Sequence, residues 1–519
     1  MVDQSQPNVL VLLTDQERYD LTAPDGPPVS PSNGSPISPS NGSPVSPSDG
    51  PPVSPSDGPP DSSTNGSSVA TPNIDRLRRE GIRFTNAFTP ISICSSARAS
   101  LLTGRYPHRH GMLNNCHGAD AIQPNLPRTI PTVGELLADA GYENTYAGKW
   151  HVGRDQTPMD FGFRYLGGSD RRNDAIDTAY EEYRQQLGVS VEEADLEDPV
   201  YSDTPDDPLL LAATTPAPVE ATRPYFIPER TIERLASVAS GDGPWLHRAD
   251  FLGPHHPYVV PEPYASMYDP AAIEQWPSYV ESFDGKPQAH ENYVSYRGVH
   301  SFDWEDWAEL VAMYFGQMTL IDDQIGRILD AAAEHLSDDL VTIHASDHGD
   351  FAGAHRLFNK GPAMYDDTYR IPLHVRWPGV VEPGTTSDEL VSFLDLMPTL
   401  LSIGGVDVPP GVDGRSIVPL LRGDRPADWR EAVFAQFHGD EFGFYSQRML
   451  RTKRYKFVYN APDVNELYDL ERDPHELTNL VSHPDYDDVQ RRLTHALADV
   501  MDRTDDPIAP WTTGALRRE

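Results

Sequence analysis

Five short apolar runs, each followed by polar groups able to do chemistry, limit what this chain can fold into. Residues 8–14 end in Asp15-Gln16, and residues 83–88 lead to Cys94. Residues 143–147 end in Gly148-Lys149-Trp150-His151. Residues 245–252 lead to His255-His256, and residues 340–345 end in Asp347-His348. Runs of strand length alternating with amphipathic stretches predict an α/β fold with a mostly parallel central sheet flanked by helices. In open sheets of that kind, ligand sites gather beyond the carboxyl ends of the strands, where all five polar groups fall.

A chain of 519 residues exceeds one ordinary core. Residues 1–424 are expected to form a large α/β domain. Residues 425–519, with short strand-like runs at 432–437, 448–451 and 455–460, followed by Glu466-Leu467-Tyr468-Asp469-Leu470 and a helical stretch at 488–502, are expected to form a smaller α+β domain. An octapeptide repeat rich in Pro, Ser and Gly fills 26–73. It cannot bury a core, so 24–70 reads as a disordered insertion. Acidic, Pro-rich residues 190–225 read as a surface insertion.

The longest apolar runs, such as 9–13 and 209–213, fall far short of the roughly 20 residues of a membrane span. The N-terminus has no basic region before its first strand. Both observations predict a cytoplasmic protein without a membrane anchor. Net charge is −38, and 5 of 41 basic residues are lysine. That balance excludes nucleic acid as a partner and fits a halophilic cytosol. Cys94 and Cys116 are expected to be thiols; neither sits in a CxxC, so no zinc-thiolate site is expected.

Asp15, Gln16, Asp347 and His348 form an oxygen-rich set with one imidazole, which suits a single hard or borderline divalent cation. Cys94 precedes a helical run at 97–102 and so should sit at a helix N-terminus, where backbone N–H groups favour an anion or a thiolate. Arg98 returns to its face one turn later. Lys149, His151, His255 and Lys360 arrive from other segments. Cations gathered around a metal are what an oxyanion such as sulfate or phosphate needs.

These residues resemble the sulfatase family of the alkaline phosphatase superfamily. Residues 94–105 resemble its CxPSRxxLxTGR pattern, and Gly148-Lys149-Trp150-His151 its GKWH motif. Asp15-Gln16 and Asp347-His348-Gly349 resemble its two metal-ligand segments, with Lys360 downstream, and Pro254-His255 resembles its histidine segment. Residues 468–480 resemble its C-terminal tail. The resemblance implies a formylglycine made from Cys94 by a formylglycine-generating maturation enzyme, held with Asp15, Gln16, Asp347 and His348 around one divalent cation, Ca2+ first and Mn2+ or Mg2+ next. It implies that Arg98 fixes the formylglycine hydrate, that Lys149 holds the ester's oxygens and that His255 and Lys360 meet the leaving alkoxide. His151 would remove a proton to regenerate the aldehyde. The implied substrate is a small-molecule or carbohydrate sulfate ester.

Ser96 stands where the maturation motif has Pro, and the Asp, Gln, Asp, His set differs from the Asp, Asp, Asp, Asn of many arylsulfatases. Phosphonate monoester hydrolases and some alkyl or choline sulfatases look closer. Hydrolysis of phosphonate monoesters or phosphodiesters, and a binding protein with unmodified Cys94, therefore stand as alternatives. Specificity is expected from segments near 155–240 and 270–305 and from the C-terminal domain. No motif specifies an oligomer.

Overall fold

Alternate residues of the strand Val9–Asp15 (β1) enter two separate cores: Val9, Val11 and Leu13 one, Leu10 and Leu12 the other. A strand buried on both faces belongs in the middle of a covered parallel sheet. The computed structural model describes residues 6–22, 29–31, 69–168, 178–190, 195–204, 207–238, 243–336, 340–440 and 443–518.

Its main sheet has nine strands. The strands that carry the site are, in chain order, β1, Ile82–Phe88 (β2), Glu143–Gly148 (β3), Trp245–Pro254 (β4) and Val341–Ser346 (β5). β1 pairs in parallel with β5 on one side and β4 on the other, and β3 continues in parallel beyond β4. Leu373–Arg376 (β6) runs antiparallel to both β5 and β2, so β2 points the same way as β1. All five strands therefore deliver their carboxyl ends to one edge. The 32-residue helix Trp304–His335 covers one face of the sheet, opened by Asp303 accepting hydrogen bonds from the Glu305 and Asp306 amides. The expected α/β architecture is the one observed.

The reading of 190–225 as a surface insertion is overturned. Leu210–Thr215 is a strand with Leu211, Ala212 and Ala213 at most 1% exposed, pairing in parallel with Tyr258–Pro261. The apolar run at 209–213 was the signal, and the acidic neighbours hid it. Most of the octapeptide array, with its expected disorder, lies outside the described residues. Within it, Val29–Pro31 forms a short strand against Tyr268–Ile273.

Near the C-terminus Val433–Phe437, Ser446–Arg451, Tyr455–Ala461 and Glu466–Asp469 form an antiparallel meander. The helix Asp487–Arg503 covers it, and Phe434, Leu450, Phe457, Leu467, Leu493, Leu497 and Met501 make a core of its own. The other face of this sheet packs on the main part of the chain, Ala435, Met449 and Val458 against Met364 and Tyr369, and Val433 against Phe88 and Leu390. Buried ion pairs tie the C-terminal sheet to the rest of the chain: Lys456 and Arg451 both meet Asp366. Among the described residues no helix is long and apolar enough to cross a membrane.

Candidate active site

The register Thr14↔Ser346 places Asp15 and Asp347 level with each other just past adjacent strand ends. Beyond β2 the chain turns into the helix Cys94–Thr103 (α1), whose first residue is Cys94 itself. Asp15, Cys94, Asp347 and His348 are fully buried, and one ligand atom from each lies within 4.8 Å of the others. Cys94 Sγ is 3.2 Å from His348 Nε2 and 3.8 Å from Asp15 Oδ1. His348 Nδ1 lies 2.8 Å from the Gly349 carbonyl oxygen and donates to it. That tautomer leaves the Nε2 lone pair facing the thiol, the arrangement of a metal-ligating histidine.

Arg98, buried in the second turn of α1, spreads one guanidinium over three carboxylates. Nε donates to Asp347 at 2.8 Å, Nη2 to Asp15 at 2.8 Å and Nη1 to Asp250 at 3.0 Å. Lys149 adds an ion pair to Asp15 at 2.8 Å. Burial would raise Asp15, but Lys149 and Arg98 outweigh it and hold the carboxyl well below its usual range. Burial and then the Asp15 charge push Asp347 up to about 6. Two crowded carboxylates, an imidazole lone pair and a sulfur converging on one point form a donor set that a divalent cation fits, since its charge offsets both the burial and the carboxylate repulsion that lift Asp347.

Gln16, with φ 70°, turns its amide away from β1. Its Nε2 donates to Asp350 at 2.5 Å, and its Oε1 accepts from Lys360 Nζ at 2.9 Å. Lys360 also donates to His255 Nε2 at 3.1 Å. His255 Nδ1 donates to the His256 carbonyl oxygen, and burial followed by the Lys360 charge lowers its pKa well below the ordinary imidazole value. His255 is thus a neutral base beside a cationic acid.

His151 joins a different group. Its Nε2 lies 2.8 Å from His117 Nδ1, the rings stack, and Cys116 Sγ donates to the His151 carbonyl oxygen at 3.6 Å. Such a thiol–imidazole group is not announced by a sequence without CxxC. The preceding turn needs glycine: Gly148 has φ 100°, and a Cβ there would meet the Asp250 carbonyl oxygen at 1.9 Å.

The strand ends therefore bring Asp15, Gln16, Cys94, Arg98, Lys149, His255, Asp347, His348 and Lys360 into one connected network, with His151 in the adjoining cluster. Sequence reasoning missed Asp250, which also accepts from Tyr146 and Arg248 at 2.6 Å, and Asp350, which accepts from Tyr258 at 2.7 Å. An acid inside the otherwise strand-like run 245–252 was the available signal, because a buried carboxylate needs cations around it. A cavity of about 420 Å³ opens beside Lys149 and His255 and is walled by Tyr180, Thr215, Arg223 and Gln317. The 155–240 segment contributes walls as expected, whereas 270–305 and the C-terminal sheet do not line this cavity.

A family model described as "Sulfatase" matches residues 53–406, and one described as "N-sulphoglucosamine sulphohydrolase, C-terminal" matches residues 353–503. An uncharacterized sulfatase of Escherichia coli is 30% identical over 468 residues, 86% of this chain and 87% of that protein. An N-acetylglucosamine-6-O-sulfatase of Bacteroides thetaiotaomicron is 25% identical over 83% of this chain and 81% of its own. A crystal structure of the phosphonate monoester hydrolase of Agrobacterium radiobacter superposes with a TM-score of 0.75 at 24% identity, covering 96% of each chain.

Proposed function

The chain belongs to the sulfatase family of the alkaline phosphatase superfamily, and from that premise we propose that it hydrolyses sulfate monoesters of a small alcohol or a sugar at the site built on Cys94. The observation that carries the reading is the convergence of Cys94, at a helix N-terminus, with the donor atoms of Asp15, Asp347 and His348 beside Lys149. When bound, a divalent cation, Ca2+ first and Mn2+ or Mg2+ next, would polarise a sulfate oxygen, and formylglycine made from Cys94 would supply a hydroxyl nucleophile. Asp15, Asp347 and His348 would hold the cation, with the Gln16 side-chain oxygen as a fourth donor.

The chain's own groups account for the rest. Arg98 holds Asp15 and Asp347 in place and neutralises part of their charge. Lys149 neutralises sulfate oxygens. The Lys360 ammonium can give a proton to a leaving alkoxide, and the lone pair of His255 3.1 Å away orients it. His151, in contact with His117, serves as the base that regenerates the aldehyde. Ser96, in the first turn of α1, occupies a position whose amide has no partner within the helix. Pro and Ser therefore fit that turn equally well, which supports maturation of Cys94 by a formylglycine-generating enzyme despite the departure from the motif.

Parallel assays with nitrophenyl sulfate and phenyl phosphonate test the reading. Faster turnover of the sulfate, abolished by Cys94→Ala, is expected. A clear preference for the phosphonate would replace it with the second reading, which the Asp, Gln, Asp, His set favours.

The net charge of −38 supports, as part of the same proposal, a halophilic cytosolic setting. Molar KCl should raise the unfolding temperature, and unchanged stability on transfer to dilute buffer would contradict that setting.

A further inference from the structure

We propose that Cys116, His117 and His151 form a second metal site, next to the Cys94 site, that takes a borderline or soft transition ion such as Zn2+. One ligand atom from each of the three lies within 4.8 Å of the others. Zinc bonds of about 2.0–2.3 Å in tetrahedral geometry set ligand atoms roughly 3.3–3.8 Å apart. The His151 Nε2 to His117 Nδ1 separation of 2.8 Å is that of one shared hydrogen. Opening it by about half an ångström replaces the N–H···N bond by two metal–nitrogen bonds.

The donor types separate this cluster from its neighbour. One thiol and two imidazoles, with no carboxylate, select zinc-like ions, whereas the carboxylate-rich set around Asp15 selects a harder cation. A chain needing both ions can therefore keep them apart by chemistry.

The cluster is held in place before any ion arrives. The Cys116 amide donates to Ser95 Oγ at 3.1 Å, and the Ser95 amide donates to Asn115 Oδ1 at 3.3 Å, so the loop is tied twice to the first turn of α1. Arg154 donates to the carbonyl oxygens of Cys116 and Gly118 and so holds the loop a third time. His151 sits at φ 56°, a backbone position that β3 and the Gly148 turn impose. His117 is half-buried and offers the ion a route from solvent. Binding expels the Cys116 thiol proton to water, moves the hydrogen shared by the two imidazoles through solvent to the other nitrogen of the donor ring, and leaves the fourth position to a water molecule.

Occupancy has a consequence for turnover, which rests on the role of His151 proposed above. An imidazole nitrogen bound to zinc has no lone pair for a proton, so zinc switches off the regenerating base. The site itself does not depend on that role.

Cobalt titration into the Cys94→Ala protein, with Ca2+ present, tests the site without any activity. One Co2+ per chain, with a thiolate-to-metal charge-transfer band displaced by Zn2+, is expected. The band should vanish when Cys116→Ser is added to that background, and His117→Ala should weaken cobalt binding by at least about 10-fold. Absence of a band, or a band that survives Cys116→Ser, overturns the site. In the Cys94-containing enzyme, Zn2+ should suppress turnover, and Cys116→Ser should need at least about 10-fold more zinc for half-inhibition, each protein being compared with its own zinc-free rate. A band without zinc inhibition would overturn the coupling to His151 alone. An enzyme inactive on every ester would count against the proposed function and leave the cobalt result standing.

Discussion

Two buried charge clusters differ in what faces their acids besides cations. Below the C-terminal sheet, Asp366 meets Arg451 and Lys456, Glu281 meets Lys286 and His355, and Asp367 meets Arg18 and His355. Asp366 and Asp367 are accordingly held well below the usual carboxylate range. Only Glu476, which shares Lys456 with Asp366, is pushed up by burial, to about 7. At the sheet edge, Arg98 meets Asp15, Asp250 and Asp347, Lys149 also meets Asp15 and Arg248 also meets Asp250, while the Cys94 thiol faces Asp15 and the His348 lone pair faces Asp347. Buried charge alone therefore marks neither structure nor function. Acids met by cations alone form a joint between packed elements, whereas acids that a thiol and an imidazole lone pair also face form a place that a metal would fit.

Breaking each cluster in turn should separate these roles. The largest effect is expected from Cys94→Ala: turnover falls by roughly 10⁴-fold or more, while the unfolding temperature stays within a few degrees of the parent, as read by steady-state kinetics and calorimetry. Lys456→Met should do the reverse. It leaves Asp366 and Glu476 short of a cation and costs about 3–5 kcal/mol in denaturant unfolding, while turnover per folded molecule is kept. Asp250→Asn sharpens the contrast, because it loosens Arg98 without touching a donor atom. Catalytic efficiency or metal affinity should drop about 10–100-fold, and equal activity at every metal concentration would assign Asp250 to packing alone.

The smallest effect concerns pH and the joint. Burial would raise Glu281, but His355 and Lys286 overcome it and bring the carboxyl from 4.5 to about 2. Its contribution is present above its unfolded value and is lost as pH falls from about 4.5 toward 2. Burial would lower His355, but Asp367 and Glu281 raise it above 6.5. That contribution is complete below 6.5 and is lost as pH rises through the higher folded value. Stability should therefore be greatest between these limits, and Glu281→Gln should flatten both flanks by on the order of 1–2 kcal/mol in urea melts, because Lys286 stays charged.

Much of the fold was legible because β1 to β5 read as compact apolar runs whose polar ends could only be explained together. Residues 190–225 misled because acidic and proline residues surround a strand that is buried by its neighbour Tyr258–Pro261, a long-range pairing with no local signal. Helix α1 begins at Cys94 and not at 97, since serines that disfavour a helix interior are tolerated in its first turn. Asp15, Gln16, Lys149, His151, His255, Asp347 and His348 lie at strand ends or next to them, where position and chemistry coincide, whereas Cys94 and Arg98 stand on α1 and Lys360 comes from a later loop. Asp250, Asp350 and His117 escaped because their roles are set by partners far along the chain: Arg98 for the first, Tyr258 for the second and His151 for the third.

The central claim, that Cys94 becomes the nucleophilic centre of a sulfate ester hydrolase, meets its most direct test in the mass of the Cys94 peptide from protein made in its own host. The account predicts a peptide whose cysteine thiol has been exchanged for an aldehyde, trapped by a hydrazine reagent. A fully alkylatable thiol in every molecule would contradict it.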